Sequence, residues 1–206
     1  MTAHHPAPEW CVLLLGGASG TGKSSLSYPL ARRLGVPVLE IDDIVEALLA
    51  TTTPEQQPAL HYWTTRPEAA TVSPDEALTR HLATCDALVP AIEAVIANHL
   101  ETAMPVVVDG DQMTPELAAR LKFRGQRADG RVRAVFLTEP DEDQVTANYR
   151  ARERSEQRLR AQVSVQHDAW LTGEAARYGV PVLAARPHAT ALARLWTAFG
   201  LPDPPP

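Results

Sequence analysis

Residues 16–25 read GGASGTGKSS. Within them Gly17, Ala18, Ser19, Gly20, Thr21, Gly22, Lys23 and Ser24 satisfy the phosphate-loop pattern G-x-x-x-x-G-K-[ST], and Ser25 closes the stretch. The flanks supply the context that the pattern needs. An apolar run, Trp10–Leu15, precedes it and predicts a strand, and Leu26, Leu30, Ala31 and Leu34 follow at helical spacing. Glycines let the backbone curl so that successive N–H groups face one anion. The helix N-terminus adds about half a positive charge at the same spot. Lys23 can then reach the β- and γ-phosphates of a nucleotide, and the Ser24 hydroxyl suits Mg²⁺.

Outward from this loop, apolar runs alternate with helical patterns. Pro37–Ile41 predicts strand two, and Asp42 and Asp43 open a helix to about Ala50. Residues 51–73, with Pro54, Pro58 and Pro67, read as irregular. Pro74–Thr102 reads as helix, interrupted at Pro90. Pro105–Val108 is a continuous apolar run, the pattern of a strand buried on both faces of a parallel sheet. Thr114 caps a helix that starts at Pro115. Val132–Leu137 and Val180–Leu183 predict strands four and five, separated by a charged helix over about 140–160 and another to Tyr178; a last helix spans about 188–199. The fold class is α/β: a five-stranded parallel sheet with helices on both faces. Ligands of such sheets sit at the carboxyl ends of the strands, where Gly16–Ser24, Asp42–Asp43, Asp109–Asp111 and Arg186–Pro187 fall. The expected organisation is a flexible N-terminus (1–9), one domain (10–199) and a disordered proline-rich tail (200–206).

Composition narrows the function. Lys plus Arg number 19 against 25 Asp plus Glu, and the net charge of −6 speaks against a nucleic-acid partner. No window reaches transmembrane length and MTAHHPAPEW lacks an apolar signal core, so a cytoplasmic protein without a membrane partner is expected. Cys11 and Cys85 lack metal-ligand spacing and read as reduced thiols. Seven histidines form no H-x-x-x-H pair, which speaks against a protein-bound zinc site.

Several further residues carry chemistry. Asp109 closes the run Val106–Val108, and a carboxylate there suits a Mg²⁺ held through water; Asp111 offers a second, and the sequence does not decide between them. An Asp at the end of strand two can accept the proton of an acceptor hydroxyl. The doublet accommodates this role for Asp42 and a first-turn or capping role for Asp43. Arg150, Arg152, Arg154, Arg158 and Arg160 form one basic cluster, in which Arg150, Arg154 and Arg158 share a helix face. They suit a mobile lid over a transferring phosphoryl group, or a solvated face paired with Glu153 and Glu156. Arg66 and Arg80 could hold an anionic acceptor, or belong to a surface loop anchored by its aromatics.

Five stretches now bear comparison with a family: GGASGTGKSSL, VLEIDDIVEAL, VVVDGDQMTPELA, ANYRARERSEQR and GVPVLAARP. Together they resemble P-loop small-molecule kinases of the nucleoside-monophosphate-kinase-like group. The first two are similar to 2-phosphoglycerate kinases and to kinases of antibiotics or sugar acids. The resemblance implies strand order 2-3-1-4-5, ATP and Mg²⁺ as cofactors, and a lid at 140–160 facing an acceptor-side segment at 51–102. It implies that Asp42 orients the acceptor hydroxyl, that Arg150 and Arg154 or their neighbours clamp phosphates, and that Ala185, Arg186 and Pro187 pack on adenine. The D-G-x-P-R motif of true nucleotide kinases is absent, since Asp109–Gly110 is followed by Asp111–Gln112. The expected function is therefore phosphoryl transfer from ATP to a hydroxyl of a small molecule, with a toxin-like nucleotide-sugar kinase or a non-catalytic ATP-binding regulator as alternatives. The acceptor, GTP in place of ATP, and a homodimer are left open.

Overall fold

The computed structural model describes residues 9–67, 71–155 and 157–202. In chain order the elements are β1 (Val12–Gly16), α1 (Ser24–Leu34), β2 (Val38–Glu40), α2 (Ile41–Thr51), α3 (Pro58–Thr65), α4 (Pro74–Thr102), β3 (Val106–Asp109) and α5 (Pro115–Ala118). There follow β4 (Lys122–Phe123), β5 (Gln126–Arg127), β6 (Val132–Thr138), α6 (Glu142–Glu153), α7 (Arg158–Tyr178), β7 (Val182–Ala184) and α8 (His188–Ala198). The main sheet runs β2-β3-β1-β6-β7, all parallel. Counted over the five predicted strands, that is the order 2-3-1-4-5.

Alternation along the central strands separates two hydrophobic layers. Val12, Leu14, Val106 and Val108 join Leu88, Ile92 and Ile96 of α4 on one face. Leu13, Leu15 and Val107 join Leu26 and Leu30 of α1 and Leu195 of α8 on the other. All of these are buried, each contributing on the order of 1.5–3 kcal/mol relative to an exposed side chain. The register brings the strand ends level: Leu15 and Glu40 both lie opposite Asp109, and Gly16 lies opposite Phe136. The phosphate loop, the start of α2 and Asp109 therefore converge on one edge of the sheet.

Four details differ from the sequence reading. Residues 51–73 contain α3, which Pro58 opens at its first turn. Pro90 does not break α4, a single 29-residue helix. The Pro90 ring sits on the exposed side while Leu88, Ile92, Ile96 and Leu100 are buried, so burial of the apolar stripe outweighs one lost hydrogen bond. A short antiparallel hairpin, β4–β5, turns at Arg124 and Gly125, both at positive φ (44 and 90). Finally, the start of the expected disordered tail is held in place: Arg133 donates to the Gly200 carbonyl, the Trp196 indole donates to the Pro202 carbonyl, and Leu201 is buried. Residues 1–8 and 203–206, and with them most of the expected flexible termini, lie outside the described residues. No helix among the described residues is long and apolar enough to cross a membrane.

Candidate active site

The phosphate loop needs three glycine conformations closed to other residues: Gly17, Gly20 and Gly22 have φ of 140, 80 and 92. At Gly17 a Cβ would stand 2.5 Å from the Leu137 carbonyl oxygen, so β6 itself excludes a side chain. Inside the turn, Lys23 is buried and its Nζ donates to the Ala18 carbonyl at 3.1 Å, where the Thr21 hydroxyl also donates at 2.9 Å. The ammonium is thus held at the mouth of α1, which begins at Ser24.

Asp109, at the end of β3, is buried and accepts a 2.7 Å hydrogen bond from the Ser27 hydroxyl. Burial pushes its carboxyl above the usual carboxylate range, against the pull of Lys23 and the Ser27 and Ser24 hydroxyls. A buried carboxylate beside a serine hydroxyl is an all-oxygen donor set, which fits a hard divalent cation such as Mg²⁺. Asp111 has the opposite shift. Burial would raise its carboxyl, but Lys23, His81 and His167 together hold it below the usual range.

Two cavities open on this edge. One, of about 720 Å³, is lined by the loop from Ser19 to Ser25, by Asp109 and by Ala185, Arg186, Pro187 and His188. The other, of about 630 Å³, is lined by Trp63, Val72, Ala77 and His81 of the 51–102 segment and by Arg160, Val163 and His167 of α7. Ser19, Asp42, Asp111, Tyr149 and Arg152 line both. Asp42 is exposed and accepts a 3.0 Å bond from the Gln112 amide, whereas Asp43 lines neither cavity. Neither acid caps α2: its N-cap is Glu40, whose carboxylate instead accepts from Tyr28 Oη at 2.5 Å, and both acids sit in the first turn. Arg186 is clamped by Glu139 (2.7 Å) and Asp141 (3.1 Å) at the wall of the first cavity.

The basic segment is rearranged relative to expectation. The helix ends at Glu153, Arg154 takes a left-handed conformation (φ 58), and Arg158 begins α7. Arg150, Arg154 and Arg158 therefore share no continuous helix face, and neither Arg150 nor Arg154 lines either cavity. Arg152 and Arg160 do. Their guanidinium carbons lie 5.3 and 4.6 Å from the Tyr149 ring centroid, and Glu153 holds both, at 2.6 and 2.8 Å. The segment touches the phosphate loop directly, through Asn148 Nδ2 to the Gly20 carbonyl at 2.8 Å. Nor do Arg66 and Arg80 line the second cavity: Arg66 caps α3, and Arg80 pairs with Glu76 over the Tyr62 ring. Reading by spacing missed His81, His167, Trp63 and Gln112, which come from separate elements and carry no shared local motif.

Arg152→Ala is accordingly expected to lower kcat by about 10²-fold or more, as loss of a donor to transition-state charge does, while Arg150→Ala stays near wild type. Steady-state kinetics of the two variants check this, and the reverse ranking would return the phosphate clamp to Arg150.

The sequence profile of the AAA domain family (AAA_33) matches residues 12–178, from the first strand of the sheet to the end of α7. The chain belongs to this AAA domain family. The chain is 28% identical over 108 residues to a 2-phosphoglycerate kinase of Pyrococcus furiosus, a match spanning 50% of this chain and 36% of that one. It is 30% identical over 113 residues to the 2-phosphoglycerate kinase of Methanocaldococcus jannaschii, spanning 52% and 35%. The chain thus spans little more than a third of the length of the curated relatives it matches. Among solved structures it shares its fold with a gluconokinase from Sinorhizobium meliloti (TM-score 0.51, 21% identity, 95% of this chain and 94% of that one). It shares it also with a shikimate kinase from Acinetobacter baumannii in complex with shikimate (TM-score 0.53, 16% identity, 93% and 94%).

Proposed function

We propose that the chain is an ATP- and Mg²⁺-dependent kinase that phosphorylates a hydroxyl of a small hydroxy acid. One observation carries the reading: a cavity at the phosphate loop and a second cavity of mixed polar and apolar lining share Asp42, Asp111 and Arg152 along their common edge. Donor and acceptor can therefore meet there without leaving the site. Lys23 and the loop amides bind the β- and γ-phosphates, and Ala185, Arg186 and Pro187 line the far wall for the base. Ser24 and Asp109 would hold Mg²⁺, which when bound neutralises phosphate charge. Asp42 accepts the proton of the acceptor hydroxyl as that oxygen engages the γ-phosphorus. Arg152 and Arg160, kept in place by Glu153, face the charge spread over the equatorial oxygens.

The acceptor class follows from the second cavity. Arg152 and Arg160 can turn from Glu153, which pairs with both, to an anionic group of the acceptor, while Asp42, Asp111 and Gln112 suit hydroxyls. A phosphoglycerate, a gluconate and a shikimate, the compounds in the names of the similar proteins, are all hydroxylated acids. A screen of acceptor-dependent ADP release over sugar acids, phosphoglycerates, nucleosides and aminoglycosides tests the proposal. Stimulation by a hydroxylated acid is expected. ATP binding without stimulation by any acceptor would leave a regulatory nucleotide-binding module.

A second outcome concerns Asp109. Its raised carboxyl means that ionisation weakens the folded state as pH climbs from the ordinary carboxylate range through the raised value, and the cost persists above it. Asp109→Asn removes that charge, so without ligand its melting temperature is expected to equal or exceed wild type. Turnover should fall by about 10²-fold or more with the metal's carboxylate gone. Calorimetry and kinetics on one preparation check both, and wild-type turnover would free Asp109 from the metal role.

A further inference from the structure

Beyond the phosphate loop, His81 and Cys85 of α4 meet His167 of α7, and the two histidines line the second cavity. One donor atom from each, two imidazole nitrogens and a sulfur, lie within 4.8 Å of one another. His81 and Cys85 are four residues apart and so share a helix face. The two imidazole rings stand edge to face, with centroids 4.5 Å apart. Both His81 Nε2 and His167 Nε2 are buried, and neither finds a hydrogen-bond partner among the described residues. Such orphans are uncommon enough that each calls for an explanation, and a bound ion is one. His167 is only 2% exposed, and burial, with His81 beside it, pushes its imidazole down to about 3, so it is neutral and carries a lone pair at ordinary pH.

We propose that His81, Cys85 and His167 bind one divalent transition-metal ion of the zinc class, with its fourth position open to the acceptor-side cavity. Two imidazoles and a thiolate are the donor set of such ions, and not of Mg²⁺, which prefers oxygen. Full ligation needs metal distances of about 2.0–2.1 Å to nitrogen and 2.3 Å to sulfur. Donors on one such ion stand closer together than the present spacing of up to 4.8 Å, so binding draws the three side chains inward. The charge balance is favourable. Asp111 lines the same cavity beside the two histidines; Lys23 opposes the ion, and the Asp111 carboxylate together with the new thiolate offsets it. Burial keeps the Cys85 thiol protonated without metal, so binding forms the sulfur–metal bond and releases one proton to solvent. The ion would tie α4 to α7 and offer an electrophile to an oxygen of whatever occupies the cavity. The site stands independently of the kinase reading, because none of its three ligands belongs to the phosphate loop.

The test uses the full chain, treated with chelator and titrated with Co²⁺ in the presence of millimolar Mg²⁺. One equivalent should bind with a near-ultraviolet thiolate-to-cobalt band and visible bands of tetrahedral intensity. Cys85→Ser should lose the near-ultraviolet band, and His167→Ala should weaken binding by about 10-fold or more. Zn²⁺ should raise the melting temperature of the wild type and not that of Cys85→Ser. If His167→Ala fails to fold, the Cys85→Ser spectrum still decides. Absence of a thiolate band in the wild type overturns the proposal. So does a band that persists in Cys85→Ser, which would place the ion on Cys11.

Discussion

Lys23→Ala is expected to abolish turnover and weaken ATP binding while the protein remains folded. The Lys23 ammonium is buried at the start of α1 and reaches the Ala18 carbonyl. In a phosphate-loop site its charge is needed on the β- and γ-phosphates, where transferring charge accumulates. Loss of a preorganised donor of this kind costs about 10²–10³-fold in rate, and loss of ground-state phosphate binding adds to it in kcat/KM. The loop itself should survive. The Thr21 hydroxyl still donates to the Ala18 carbonyl, and the glycine conformations are backbone properties. Without the ammonium, Asp109 also loses the charge that draws its carboxyl downward, so apo stability falls modestly. Isothermal titration with ATP, an ADP-release assay and circular dichroism measure the three consequences. Wild-type affinity and turnover in the variant would remove the phosphate-loop assignment.

Asp42→Asn is expected to lower kcat by about 10²-fold or more, the scale of a lost general base, and to leave ATP affinity nearly unchanged. Asp42 stands on the edge common to the two cavities, bonded to the Gln112 amide. Asparagine preserves size and can keep a hydrogen bond to Gln112, but it cannot take a proton. Asp43→Asn is the control. Asp43 lines neither cavity and lies in the first turn of α2, so only the helix-dipole contribution of about 0.3–1 kcal/mol is at stake. Parallel kinetics and thermal melts separate the two. An inactive Asp43→Asn beside an active Asp42→Asn would exchange their roles.

What could be read directly from the chain was local. The phosphate loop is eight consecutive residues whose glycines, lysine and serine act through a backbone turn that those same residues form. The strands Val12–Gly16 and Val106–Asp109 announce themselves because burial on both faces demands unbroken apolar runs. Helix signals such as Gly35 at φ 68 after α1, or Thr114 accepting from the Leu117 amide, are likewise written in neighbouring residues. From these the parallel sheet and its active edge follow.

Tertiary structure decided which distant side chains share that edge. A left-handed turn at Arg154 splits the basic segment, so a face drawn at constant helical pitch named Arg150 and Arg154, while Arg152 and Arg160 came to flank Tyr149. Pro90 could be carried inside α4 because the core beneath it binds Leu88 and Ile92 more strongly than one missing hydrogen bond costs. The second cavity draws Trp63 from α3, His81 from α4 and His167 from α7, residues with no common period. The same packing of α4 on α7 sets Cys85 and His81 beside His167, a ligand set invisible to any search for H-x-x-x-H. Local patterns encode backbone conformation because neighbouring residues constrain one another sterically. Convergence of side chains from separate helices is set by how their buried faces pack, and that depends on the whole chain at once.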